Sequence, residues 1–112
     1  MRFVLRSFLI LFLLTQVSQA ADRVDYLTDI KPLLEHKCYA CHGALKQQGN
    51  LRLDTGSALL IGGDSGSPIS SDPAEPGLLI DVLTGDAGFQ MPPEGEGSPL
   101  TADEIRLVQR WI

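Results

Sequence analysis

Two cysteines, and the residue that follows the second of them, are where this sequence could do chemistry. They stand in Cys38-Tyr39-Ala40-Cys41-His42, a C-x-x-C-H pattern. Thiols three positions apart can reach the two vinyl groups on one side of a porphyrin and form thioethers. The adjoining imidazole then comes under the iron, where a neutral ring nitrogen is a good ligand. The spacing therefore points to one covalent haem c, with Cys38 and Cys41 as attachment points and His42 as an axial ligand. Three rival chemistries are weaker. A thioredoxin-like C-x-x-C needs a βαβ pattern around it, and none is present. A structural zinc site needs four ligands, usually as two separated pairs. The only other Cys or His is His36, two residues before the motif. A Cys38–Cys41 disulfide closes a very small loop and stabilises little. His36 is too near the motif to reach the opposite side of a haem and reads as a surface or packing histidine.

A sixth ligand has to come from elsewhere in the chain. Met1 belongs to the leader, which leaves Met91, in Phe89-Gln90-Met91-Pro92-Pro93. Proline disfavours helix at the residue before it, so the thioether can be presented from a stiff, extended loop. The competing reading is a core methionine filling a gap. Ligation by His42 and Met91 fills both axial positions and raises the potential of the iron, which suits outer-sphere electron transfer. A haem enzyme or gas-sensing module would instead need an exchangeable sixth position, and that alternative gains if Met91 does not ligate. An exported interaction domain without haem has only the loop-rich composition behind it. Gly63-Asp64-Ser65-Gly66-Ser67-Pro68 resembles the nucleophile loop of chymotrypsin-like proteases. The paired β-barrels and the independent histidine base of that chemistry are missing.

The elements that must position these residues are helical. Tyr26, Leu27, Ile30, Leu33 and Leu34 fall on the buried face of a helix over Asp25 to Lys37, with Pro32 starting a new turn or kinking it. The motif follows at its C-terminal end. Thr101-Ala102-Asp103-Glu104 is a capping box that opens a last helix, with Ile105, Val108 and Ile112 on its apolar face and Leu107 and Trp111 beside it. That helix is barely three turns long and has no C-cap, which predicts a domain continuing beyond Ile112. Between the two helices lie frequent turn signals and two short helical turns, at Ser57–Ile61 and Leu78–Leu83. Leu51-Arg52-Leu53 alternates like a strand but is too brief to found a sheet. Long loops without a sheet make sense when they wrap a ligand.

The first twenty residues read as a secretory signal peptide. Arg2 and Arg6 form a positive start, Ser7 to Thr15 a short apolar run, and Ser18-Gln19-Ala20 a small-residue cleavage site. The apolar run is short for a membrane span, so no stable membrane insertion is expected after cleavage, the competing reading being an uncleaved anchor. No cysteine follows the cleavage site to make a lipoprotein. Haem c attachment takes place outside the cytoplasm, so leader and motif agree on the periplasm or cell envelope of a bacterium. The expected organisation is a leader over 1–20 and one haem domain over 21–112. Losing Arg2 and Arg6 takes the formal charge from −5 to −7, a poor match for nucleic acid. The remaining ~90 residues are rich in Gly and Pro and make a marginal core unless a prosthetic group or a staple adds to it.

Taken together, the sequence resembles the planctomycete-type cytochrome c domain found at the N-terminus of larger exported bacterial proteins. The resemblance is carried by Ile30-Lys31-Pro32-Leu33-Leu34, the motif with Gly43, Leu45-Lys46-Gln47 and Leu51-Arg52-Leu53-Asp54-Thr55. It continues through Gly62-Gly63-Asp64-Ser65-Gly66, Met91-Pro92-Pro93, and Glu104-Ile105 leading to Trp111-Ile112. It implies an all-α cytochrome c-like fold, with the first and last helices packed together beside one covalent haem. It also implies attachment at Cys38 and Cys41, His42 as proximal ligand and Met91 as distal ligand. Leu33, Leu34, Ile105 and Trp111 are expected to help enclose the haem. The partner expected is a redox protein or the attached downstream domains.

Overall fold

The computed structural model describes residues 22–112; the leader expected over 1–20 lies outside them. Asp25 opens the first helical segment, its carboxylate accepting from the Thr28 amide at 2.9 Å and the Thr28 hydroxyl at 3.1 Å. Asp29 reaches back to the Asp25 amide at 2.8 Å. Amide donors orphaned at the start of the helix are thereby satisfied by side chains. The segment runs as a wide π turn over Tyr26–Ile30 and then as helix α1 over Lys31–Lys37, with Pro32 in its first turn. The single helix expected over this stretch is therefore two geometries in series. Proline lacks an amide hydrogen and crowds the carbonyl four residues back, so the hydrogen-bond register changes where it enters.

After the motif the chain makes a 3-10 turn at Gln48–Asn50, helix α2 over Gly56–Ile61 and helix α3 over Leu78–Thr84. Thr55 caps α2 by accepting from the Ala58 amide, and Gly85, at φ 89°, closes α3 in the left-handed region that glycine tolerates. Helix α4 spans Ala102–Trp111. The expected capping box opens it: the Thr101 hydroxyl accepts from the Glu104 amide at 3.2 Å, and Glu104 accepts from the Thr101 amide at 2.8 Å. Among the described residues no strand forms. Leu51 to Leu53 stays outside any ladder, and pairing is limited to two isolated bridges, His42 with Gln47 and Gly63 with Gly66.

Helix α4 packs on both the π turn and α3, so the two ends of the domain meet. At that meeting Tyr26 and Trp111 stack with ring centroids 5.4 Å apart. Ile30, Leu34 and Val108 are sealed in the core with Leu53, Leu59, Leu79, Ile80, Leu83 and Leu100. Leu33, Ile105, Leu107 and Trp111 pack against this core from its margin. The apolar face of α4 differs from the expected one in a detail. Ile112 is 42% exposed, whereas Trp111 carries the packing at the end of the helix. The Ile112 amide still donates to the Val108 carbonyl at 3.1 Å, and it is the stack on Tyr26 that draws the flanking aromatic into contact.

Candidate functional site

The motif is one hydrogen-bonded continuation of α1. The Cys38 and Tyr39 amides both donate to the Leu34 carbonyl, at 2.7 and 3.2 Å, so the helix ends with one carbonyl shared between two amides. The Cys41 and His42 amides then donate back to the Cys38 carbonyl, at 3.2 and 2.9 Å. This folds the two thiols and the imidazole into a single compact turn. The following residue has to be glycine: a β-carbon on Gly43 would meet the Tyr39 carbonyl oxygen at 2.5 Å. The turn is also held from outside. The Gln48 amide donates to the Cys41 carbonyl at 2.9 Å, and the Leu53 amide to the His42 carbonyl at 2.9 Å. Leu53 is itself flanked by a bidentate ion pair in which Arg52 donates twice to Asp54, at 2.9 and 2.7 Å.

Both thiols are free. Burial pushes the Cys38 thiol up to about 11, with the positive charge of Lys37 opposing weakly, so it carries its proton at neutral pH. Among the described residues, two buried side-chain polar atoms lack any hydrogen-bond partner, and both belong to the motif: Nδ1 of His42 and the hydroxyl of Tyr39. Burial, and next the neighbouring Tyr26 phenol, push the Tyr39 hydroxyl well above its ordinary range. An unpartnered buried polar atom costs about 1–3 kcal/mol, and such atoms tend to gather where a functional group is bound. The donor set of two free thiols and one half-buried imidazole in a single turn fits a thioether-linked porphyrin.

Met91 comes from a separate segment. It is half-buried, and its amide donates to the Val82 carbonyl on α3 at 2.8 Å. The preceding Gln90 side chain donates to the Leu83 carbonyl at 3.1 Å. The peptide bond from Met91 to Pro92 is cis, and the chain remains non-helical up to Thr101. The backbone around Met91 is thus non-helical and tied to α3 at its start. His36 lies on the exposed side of α1, as its sequence position suggested. A surface concavity on α4 is lined by Asp103, Glu104, Arg106, Leu107 and Arg110 and contains none of the motif residues or Met91. Among the described residues, no three His, Cys, Asp or Glu side chains converge on a point that could hold a bare metal ion.

The sequence reading passed over two groups. Lys37, immediately before the motif, donates through Nζ to the Ser98 hydroxyl at 2.7 Å and to the Ser98 carbonyl at 3.1 Å. A lone lysine at a helix end carries no signal of a partner 61 positions away. The Arg52–Asp54 fork could have been suspected from an opposite-charge pair with spacing of two, which places both side chains on one face of an extended segment.

Fold and site together define a class: a small all-α domain with C-x-x-C-H directly after its first helix and a non-helical loop bearing Met91 before its last. Within that class, the chain belongs to the planctomycete cytochrome C family, whose model matches residues 38–95, more than half of the sequence. The matched span begins at the first motif cysteine and includes Met91. A cytochrome c family implies covalently held haem c and haem-based electron transfer. No curated protein and no solved structure matches the chain.

Proposed function

We propose that the chain is a monohaem electron-transfer module, its haem c anchored by Cys38 and Cys41 and the iron held between His42 and Met91. The observation that carries this reading is the compact turn of two free thiols and one half-buried imidazole. When bound, the haem supplies a one-electron iron couple. The residues supply its placement. Backbone hydrogen bonds to Leu34, Gln48 and Leu53 hold the attachment turn from both sides. His42 would offer the iron one nitrogen of its imidazole, a ring whose placement is fixed by the motif turn. Met91, held to α3 through Val82, offers a thioether, a soft neutral ligand that favours the reduced iron.

Exposed apolar side chains support the same reading. Leu45 is fully exposed, Ile61 80% and Phe89 50%. Leu45 follows the motif closely, and Phe89 stands two residues before Met91. Covering such side chains with a flat apolar porphyrin stabilises by about 1.5–3 kcal/mol each when burial is complete. We also propose that the module is exported to the periplasm or cell envelope and exchanges electrons with a redox protein or with attached downstream domains. In the described residues no helix is long and apolar enough to cross a membrane. The acidic surface argues against nucleic acid as a partner.

The test is absorption spectroscopy of protein exported from cells with haem c maturation machinery, oxidised, reduced and as the pyridine complex. The expected result is a c-type pyridine spectrum together with the weak long-wavelength sulfur-to-ferric-iron band. Met91→Ala should retain covalent haem, lose that band and open the reduced iron to carbon monoxide. Covalent haem without the band in the unaltered protein would favour a haem enzyme or gas sensor, and absence of haem would overturn the proposal altogether.

A further inference from the structure

We propose that Lys37 is a positioning residue that latches the Met91 loop shut over the haem; this rests on the reading that Met91 ligates. The loop between Met91 and α4 has two ends of different character. At its start the backbone is pinned to α3, by the Met91 amide on Val82 and the Gln90 side chain on Leu83. From Pro92 to Leu100 it runs without helix, with a single internal backbone bond, from the Glu96 amide to the Pro93 carbonyl at 3.0 Å. Its far end is held by Lys37, which donates to both the hydroxyl and the carbonyl of Ser98. Lys37 is the last residue of α1, adjacent to the first attachment cysteine. One ammonium therefore ties the segment after the proposed distal ligand to the helix that ends in the proximal motif, across 61 positions of sequence.

The geometry has a definite consequence for ligand exchange. An external ligand binds iron only in molecules whose Met91 has swung away. Its apparent affinity thus scales with the open fraction of the loop. Hydrogen bonds from a charged donor are stronger than neutral ones, and this donor serves two acceptors on one residue. Their loss raises the open fraction. The ammonium also stands at the C-terminal end of α1, where its charge is favoured, so its own position is well defined without Ser98.

The experiment is titration of the ferric holoprotein with imidazole, a neutral ligand insensitive to the lost charge, followed by the sulfur-to-iron band. Lys37→Met should bind imidazole roughly tenfold more tightly, at unchanged covalent haem content. Ser98→Ala keeps the carbonyl acceptor and should show a smaller gain, while Lys37→Arg keeps a donor and should restore most of the closed state. In the Lys37→Met background, Ser98→Ala should add nothing, because the latch is already absent. Hydrogen exchange over residues 92–98 should quicken in Lys37→Met. Unchanged imidazole affinity and exchange in that variant, with the band present in the unaltered protein, would overturn the latch alone. Absence of the band in the unaltered protein would overturn Met91 ligation and the latch with it.

Discussion

Ile30→Ala is the most demanding test of the architecture, because Ile30 sits where the π turn, α1 and the core meet. Its side chain has no exposure to solvent. The substitution removes three carbons, and at about 0.8 kcal/mol for each buried methylene equivalent the transfer loss alone is about 2.4 kcal/mol. The cavity left behind adds to this, because α4 packs on the π turn from a separate part of the chain and relaxes only in part. The expected destabilisation is about 3–4 kcal/mol. For a domain of this size that is a large share of a total stability of about 5–15 kcal/mol. The assay is urea unfolding of the haem-loaded protein, followed by far-UV circular dichroism and by haem absorption, with the slope compared to confirm that only the midpoint moves. Ile112→Ala is the control, since it removes similar volume at a position outside the helix and partly exposed, and should change stability by less than about 0.5 kcal/mol. A loss below about 1 kcal/mol for Ile30→Ala would show that the first and last segments do not seal this side chain between them, and the packing described above would be refuted.

Two further perturbations address the helix start and the ion pair. Thr101→Ala breaks the capping box and should cost about 1 kcal/mol, read as a lower urea midpoint with little change in the haem spectrum; no measurable loss would mean that the cap is formed but idle. The hydrogen bond from Arg52, and the charge it carries, hold the Asp54 carboxyl below its ordinary value. A depressed native value means that the pair contributes in full above the unfolded carboxyl value, about 3.9, and loses its contribution as pH falls through the lowered native one. Arg52→Gln should therefore raise the Asp54 titration midpoint seen by NMR and flatten the acid limb of stability against pH. Asp25, lowered chiefly by the Thr28 amide, has the same sign and remains to shape the rest of that limb. An Asp54 midpoint unmoved by Arg52→Gln would separate the two side chains in solution.

The parts of the fold that were legible in the sequence are those set by local rules. The capping box at Thr101 and Glu104, the short helices after Thr55 and Gly77, and the C-x-x-C-H turn at the end of α1 depend on residues within a few positions of one another. The change of helical geometry at Pro32 was legible as a break, though not as a π turn, because the choice between register changes depends on how Ile30 packs against α4. The exchange of roles between Trp111 and Ile112 has the same origin. Periodicity puts Ile112 on the apolar face, but the Tyr26 ring selects Trp111. Nothing local could have paired Lys37 with Ser98 or placed the Gln48 amide on Cys41. Those contacts exist because the loops fold back onto the motif, and no pattern of residue types encodes that return.

The way the core meets the site bears on why such a loop-rich domain holds together. The buried apolar side chains, from Ile30 to Val108, include none of Cys38, Cys41, His42 or Met91, but Cys38 and Tyr39 pack against them. Leu34 and Leu53 belong to that core and also hold the motif through their main chain, while Met91 is placed by a main-chain bond to Val82. This arrangement ties the motif turn to the core through the backbone. It also leaves apolar side chains such as Leu45 and Ile61 in water and two buried polar atoms unpartnered in the motif. Each of these is a cost to the polypeptide alone, in a chain whose small core provides little margin. A covalent porphyrin on the proposed attachment turn would add apolar surface to that core through Cys38, which already packs against it. On this reading the haem contributes to the stability of the domain as well as to its redox chemistry.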